Sequence, residues 1–540
     1  MDHMHFYAFL FILWLLTYLF FRSVLSRRPP NGCRTANLPP SPTALPLLGH
    51  LHLLGPLVHQ SFDALAKRYG PIVHLRLGSL GDTVLVCSPA LAKEFLKSHD
   101  LAFASRPWLV AQHYIGGEDS ITFTFLPYGP RWRFFKKVLI TELLSAKRLE
   151  KMTGIRQEEI KLFLRSLLEK STAGESADLE EMLPGLTNNI ICRMMMGMKS
   201  LGGRKVAKEY GKLVEEHVEL SGKLNIVHML VGRIVKLDFF GYGKRLKKAN
   251  KRFMEIVEKI IEEHEEKKRL KQEHKTKEVE EDGEDGKEEE EEEDLLDILL
   301  KIAEDEAAEC KLTRHNIRTF LLVCFFVLHH LDISAGGTET SAITMQWALA
   351  ELLKHPITFK KAREEIDSVV GTNRLVKESD IPNLPYIQAV LKETLRLHPP
   401  APINLRSCDQ DCSVAGFSIP KGTNLFINVW SLGRDPEHWE DPLEFRPERF
   451  LNSNIDVKGQ HFQLVPFGSG RRMCPGMPLA LSVMQVTIAS VVQCFDWRAP
   501  NGEINSIKTE LREKAGITIH MAQPLGCIPV ARCLPFTNPL

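Results

Sequence analysis

The sequence predicts a mainly α-helical fold with a small β region, preceded by an N-terminal transmembrane helix. Three observations carry that expectation. Apolar residues recur at three- and four-residue spacing from about Lys147 to His264, as in Ile160-Leu162-Phe163-Leu167 and Phe253-Ile256-Val257-Ile260, the pattern of successive amphipathic helices. Short β-type runs occur at Ile72 to Leu77 with Thr83 to Cys87, and at Val414 to Ile419 with Thr423 to Val429. Phe6 to Phe21 is an apolar and aromatic run relieved only by Thr17.

The 540 residues are 44% hydrophobic and 25% charged, enough for an extensive core in an ordinary globular chain. A net charge of +1 gives no electrostatic case for nucleic acid or for a strongly acidic partner. The 11 cysteines show no short repeating spacing, and Cys408-x-x-x-Cys412 lacks the second pair of a zinc site, so a reducing compartment is expected.

Taken in order, residues 1–28 form the membrane anchor. With its flanks, Met4 to Leu25, the apolar run approaches the roughly 20 residues that span a bilayer. Asp2 precedes it and Arg22, Arg27 and Arg28 follow, the reverse of a cleaved signal peptide, which leaves the body in the cytosol. Residues 29–50, with Pro39-Pro40-Ser41-Pro42, Pro46 and Gly49, read as a stiff extended hinge. The catalytic body occupies 51–540. Ser88-Pro89 starts a helix, with proline in its first turn. In Tyr128 to Lys137, Trp132 and Lys136 lie one helical turn apart on one face, a pairing that a solvated basic face would also produce. Residues 262–294, nearly all charged and containing Gly283, Gly286 and a glutamate run from Glu288 to Glu293, are expected to be a disordered acidic surface loop.

Order returns at Leu295 to Leu300. At Ala335-Gly336-Gly337-Thr338-Glu339-Thr340-Ser341, glycines in mid-helix each cost about 1 kcal/mol relative to alanine, so something should fill the space they open. His355-Pro356 begins another helix. In Leu384 to His398, Glu393 and Arg396 share a face. The β-type runs at 414–419 and 423–429, separated by Pro420-Lys421-Gly422, read as a hairpin.

The chemistry is concentrated in Phe467-Gly468-Ser469-Gly470-Arg471-Arg472-Met473-Cys474-Pro475-Gly476, followed by the long apolar helix of Leu479 to Val492. A thiolate at the mouth of a helix is stabilised by unpaired N–H groups and the positive end of the dipole. Gly470 and Gly476 let the backbone approach something flat and bulky. Among metals held by a single cysteine, haem iron fits best, because a thiolate trans to oxygen favours O–O cleavage; an inert buried thiol is the alternative.

Phe467, Gly470, Arg472, Cys474 and Gly476 fall on the Phe-x-x-Gly-x-Arg-x-Cys-x-Gly signature of the cytochrome P-450 superfamily, and the chain resembles a plant microsomal member from end to end. The resemblance implies haem b (iron protoporphyrin IX), with Cys474 as its axial thiolate, Phe467 and Gly476 in the cofactor loop, and propionate contacts from Arg472, Arg406, Trp132 and Lys136. It makes Glu339 and Thr340 the acid and alcohol that deliver protons to bound oxygen, a role O–O cleavage requires. Glu393 and Arg396 are expected to lock onto Arg449 in Pro447-Glu448-Arg449-Phe450 and support the thiolate loop. No GxGxxG fingerprint is present. Electrons are therefore expected from NADPH-cytochrome P-450 reductase in the same endoplasmic reticulum membrane, docking on Arg131, Arg133, Lys136 and Lys137, with O2 as co-substrate.

Relative to that pattern the chain interposes Val323 to Leu331, nine residues that turn a helix by about 900°, a net half-turn. His329-His330 within it has no third ligand nearby. The stretches 456–462, 312–317 and 516–532 look most like the group containing flavone synthase II, isoflavone synthase and pterocarpan hydroxylase. An apolar pocket is expected from Trp108 to Phe125, Ser334 to Gly337, Ala401 to Leu405 and Met521 to Gln523. The expected reaction oxidises a flavanone to a flavone or hydroxyflavanone. The alternatives are triterpenoid hydroxylation, a haem-thiolate isomerase or dehydratase, and a haem protein made inactive by the insert.

Overall fold

Helices with long apolar faces set the architecture, and the sheet is a small attachment to one side. The computed structural model describes residues 37–115, 126–197, 219–230, 238–281, 294–305, 311–318, 338–499, 510–516 and 518–535, with isolated residues elsewhere. Tyr7, Leu10, Phe11, Trp14, Leu15, Thr17 and Tyr18 are helical and exposed; the rest of the expected anchor lies outside the described residues. So do residues 116–125, the insert Val323 to Leu331 and the stretch Ser334 to Gly337.

From Asn37 the proline-rich segment lies along the body. His74 N–H donates to Pro40 O and Ser418 N–H to Asn37 O, each at 2.8 Å, and Gly49 bridges Leu77. Helix α1 (Val58–Tyr69) covers β1 (Ile72–Arg76) and β2 (Asp82–Val86), and α2 (Pro89–Lys93) follows, its N-terminus capped by the Ser88 hydroxyl. Next come α3 (Pro130–Val138), α4 (Thr153–Ala173) and α5 (Leu179–Met196).

The acidic segment corrects an expectation. Helix α6 (Tyr242–Glu281) runs through residues 262–281, where a disordered loop was expected. Buried Phe253, Val257, Ile260 and Ile261 anchor its first half. Lysine and glutamate are good helix formers, and tertiary ion pairs hold the second half: Arg314 to Glu265 at 2.6 Å and Lys268 to Glu304 at 2.7 Å. Asp294 belongs to α7 (Leu295–Glu304), which it caps in a reciprocal box with Asp297, and it also meets His264 of α6 at 2.9 Å. Residues 282–293 lie outside the described residues.

The centre is made by α8 (Glu339–Lys354), with α9 (Pro356–Val369), α10 (Pro385–Leu397) and α11 (Met477–Cys494) around it. Every residue of α8 from Ser341 to Leu353 is buried, as expected of a helix packed on all sides. Among the described residues α11 alone is long and apolar enough to cross a membrane, yet 67% of it is buried inside the body, which makes it a core helix.

The hairpin expectation also needs correcting. Strand β4 (Cys412–Val414) pairs with β5 (Phe417–Ile419) around Ala415 and Gly416, both at positive φ (52° and 80°), the geometry of a tight two-residue turn. The run after Pro420-Lys421-Gly422 becomes β6 (Asn424–Asn428), buried at every position. It sits inside a sheet ordered β1-β2-β6-β3, where β3 is Ile403–Ser407. β6 runs parallel to β2 and antiparallel to β3, which fixes Arg406 opposite Leu425. Two late strands, β7 (Phe495–Arg498) and β8 (Gly526–Ala531), close the C-terminal side.

Candidate active site

One cavity opens between the N-terminal half of α8, the residues from Pro400 through β3, and the loop before α11. Phe467, Gly468, Arg472, Cys474 and Gly476 line its floor, and Thr340, Ser341 and Thr344 line the opposite wall. The floor is folded by its own backbone. Cys474 N–H donates to Phe467 O at 2.9 Å, and Gly468 N–H to Val465 O at 2.9 Å. Gly470 needs to be glycine: its φ is +69°, and an added Cβ would lie 2.5 Å from Asp100 Oδ1. Gly476 is different. Its φ of −79° suits any residue, and an added Cβ would meet only the Cys474 sulfur, at 3.8 Å. The missing side chain leaves room at the sulfur, on the cavity side.

Burial pushes the Cys474 thiol up, and the N–H groups of Gly476 and Met477 at the start of α11, together with Arg106 and Lys136, pull it back. The sulfur thus sits in a dry place already furnished with donors for an anion.

Three cations line this cavity, Arg106, Lys136 and Arg472, with Arg406 buried beside Arg106 and Arg472, and none of the described lining residues is Asp or Glu. Burial, then the neighbouring arginines, holds Arg406 well below the usual guanidinium range; the same causes lower Arg472 to about 9, and burial alone lowers Arg106 to about 10. Arg406 donates to Asn404 and to Leu405 O, while its Nη2 and the Nε of Arg106 are buried without partners among the described residues. Arg472 donates to Ala104 O and Leu126 O and stacks 4.4 Å over the Trp132 ring. Lys136 lies 5.0 Å from the same ring and donates to Arg471 O. Gathering like charges in a dry space is costly unless an anion enters. The unpaired donors are a mould for carboxylates.

A family model described as Cytochrome P450 matches residues 39–521. The chain is a cytochrome P450. It is 42% identical over 505 residues to 3,9-dihydroxypterocarpan 6A-monooxygenase of Glycine max, covering 93% of this chain and 94% of that one. With β-amyrin 24-hydroxylase of Glycine max it shares 43% over 540 residues, 98% of each chain. With 2-hydroxyisoflavanone synthase of Glycyrrhiza echinata it shares 39%, covering 96% and 97%. A solved zebra fish cytochrome P450 with progesterone superposes with a TM-score of 0.69 at 26% identity, covering 88% of this chain and 99% of that one. This cytochrome P450 is therefore a haem monooxygenase. The residues fit that cofactor: a single sulfur in the floor, bare space at Gly476, and unpaired buried guanidinium donors for the two carboxylates of a protoporphyrin.

Of the other expected residues, Thr340 reaches the cavity wall, whereas Glu339 turns aside and meets His520 Nε2 at 2.6 Å. Ala401, Ile403, Asn404 and Leu405 line the cavity as expected. Met521 is buried elsewhere, Ala522 and Gln523 are exposed, and Trp108 is 58% exposed, so none of these belongs to the wall. Glu393, Arg396 and Arg449 come together away from the cavity, with Arg396 Nη2 and Arg449 Nε at 2.7 and 2.9 Å from Glu393 Oε1.

Arg106, Asn404 as partner of Arg406, and His520 were not foreseen. Arg106 had a visible signal, the lone cation in Phe103-Ala104-Ser105-Arg106-Pro107. If the four cations await an anion, Arg406→Met will weaken haem binding at least tenfold, about 1.4 kcal/mol. The haem-free variant will melt no lower than the parent, because an apolar side chain of similar size removes a buried charge. Haem titration and thermal denaturation of the haem-free protein check both halves.

Proposed function

We propose that this cytochrome P450 oxidises a flavonoid, turning a flavanone into a flavone or hydroxyflavanone. The observation that carries the reading is the cavity lining outside the Cys474 loop: apolar surface from Leu395, Pro400, Ala401, Ile403 and Val429, relieved by the hydroxyls of Thr340, Ser341 and Thr344. That suits a flat, largely apolar substrate with few polar anchors. The names of the pterocarpan monooxygenase and the isoflavanone synthase support it. Triterpenoid hydroxylation is the second reading, supported by 43% identity to β-amyrin 24-hydroxylase along nearly the whole of both chains.

Haem, when bound, supplies the binding and reduction of oxygen. Cys474 would hold the metal, with the N–H groups of Gly476 and Met477 tempering the charge on its sulfur. Arg106, Lys136 and Arg472, with Trp132 beside them and Arg406 buried behind, would hold the carboxylates, while Phe467 forms part of the floor. Thr340 and Glu339 pass protons toward the cavity. Glu393, Arg396 and Arg449 brace the chain that leads into the floor loop.

The protein sits on the endoplasmic reticulum membrane through residues 1–28, a reading supported by the apolar run and by the exposed aromatics among its described residues. NADPH-cytochrome P-450 reductase supplies the electrons and docks over Arg131, Arg133 and Lys137, all exposed on α3, whose Trp132 and Lys136 face the cavity.

Incubating the membrane-bound enzyme with reductase, NADPH and either naringenin or a triterpene alcohol tests the substrate. A flavone or hydroxyflavanone is the expected product. Turnover of the triterpene alone would replace the first reading by the second.

A further inference from the structure

We propose that His520 reloads Glu339 with protons from water, making the C-terminal loop part of the oxygen chemistry. This rests on the reading of Glu339 and Thr340 as the proton-delivering pair. Thr340 lines the cavity, and the preceding residue, Glu339, about 100° round the first turn of α8, does not. There its Oε1 lies 2.6 Å from His520 Nε2, and the two side chains keep 23% and 27% of their exposure. The order is cavity, alcohol, acid, imidazole, water.

The contact is held in place by more than its own energy, since a side-chain contact this exposed adds little to stability. Trp347, further along α8, donates from its buried indole Nε1 to Ile519 O at 2.7 Å. Ile519 N–H donates to Pro400 O at 3.2 Å, and Lys514 N–H to His520 O at 2.8 Å. The helix therefore grips the loop at two points, and Pro400, itself in the cavity wall, fixes it at a third. His520 is carried in register with the catalytic helix.

Imidazole suits this position because one ring nitrogen accepts a proton while the other gives one up. A water-borne proton adds to Nδ1 as the Nε2–H bond breaks and an O–H bond forms on Glu339 Oε1. The ring ends neutral in its other tautomer, one proton has moved inward, and transfer of the Nδ1 proton back through water to Nε2 resets it. No electrons are exchanged.

His520→Gln keeps an amide that hydrogen-bonds to Glu339 but relays no proton. In that variant the product formed per NADPH consumed should fall at least fivefold, with hydrogen peroxide making up the difference. The solvent deuterium isotope effect on product formation should at least double, and the carbon monoxide spectrum should be unchanged. Glu339→Gln should show the same uncoupling, and the double variant should be no worse than Glu339→Gln. In the haem-free protein, diethyl pyrocarbonate should modify His520 at least threefold faster in Glu339→Gln than in the parent, as located by mass spectrometry. Uncoupling in Glu339→Gln with normal coupling in His520→Gln overturns the role of His520 alone. Normal coupling in both overturns the proton-pair reading with it, and equal modification rates overturn the contact itself.

Discussion

Cys474→Ser is expected to abolish the absorption shift that carbon monoxide produces on reduced thiolate-bound haem and to lower turnover by at least about 10³, the scale of removing one member of a catalytic unit. Serine is nearly isosteric, and the loop is closed by backbone bonds that the substitution leaves alone, Cys474 N–H to Phe467 O and Met473 N–H to Gly470 O. What changes is the anion. Burial already opposes ionisation of the thiol, and only the N–H groups of Gly476 and Met477 and the nearby cations work against it. A hydroxyl has a far higher intrinsic cost of ionisation, so the same donors and a bound metal cation will not produce an equivalent ligand. The haem-free variant should melt within about 1 kcal/mol of the parent, as a small polar swap in an intact loop implies. Persistence of the shift would remove Cys474 from the site.

The floor of the site was legible because ten consecutive residues carry both the thiol in its glycine-rich loop and the family signature that the resemblance rests on. Trp132 and Lys136 were legible as one helix face, one turn apart, but their place beside the cofactor came from the resemblance alone. Arg106 was not assigned: its significance comes from facing Arg406 and Arg472, which only the sheet and floor loop bring near. His520 left no local mark at all, because its partner lies on another element far back in the chain. The two fold corrections share a cause. Alternation in 414–419 reads as one strand because a non-glycine residue at positive φ, Ala415, is invisible in a hydropathy pattern. In 262–281, low hydrophobicity argued for disorder, but helix propensity and ion pairs from Arg314 and Glu304 decided the outcome.

Glu393→Ala should destabilise the protein by about 3–5 kcal/mol, read as a shift in the urea midpoint at constant slope. The carboxylate and Arg396 are both fully buried, a placement whose desolvation cost is recovered only by complete hydrogen bonding. Here it is complete. Arg396 meets Glu393 through two parallel bonds of 2.8 and 2.7 Å and donates also to Gly433 O at 2.6 Å, Pro442 O at 2.7 Å and Glu444 O at 2.9 Å. Glu393 Oε1 further accepts from Arg446 N–H and from Arg449 Nε, both at 2.9 Å. Alanine would leave two guanidiniums buried beside each other with no counter-charge, and a backbone N–H without its partner. Arg396→Lys separates charge from geometry, because lysine keeps the charge and loses the fork that ties 433–444 to α10, so it should recover only part of the loss. Replacing Glu393, Arg396 and Arg449 together by leucine or methionine removes every charge at once and should cost less than Glu393→Ala alone. A loss below about 1 kcal/mol for Glu393→Ala would place the network among ordinary surface pairs and remove its bracing role. If instead the haem-free and haem-bound proteins lose the same stability, the brace acts on the fold; a larger loss with haem bound would locate it at the floor loop.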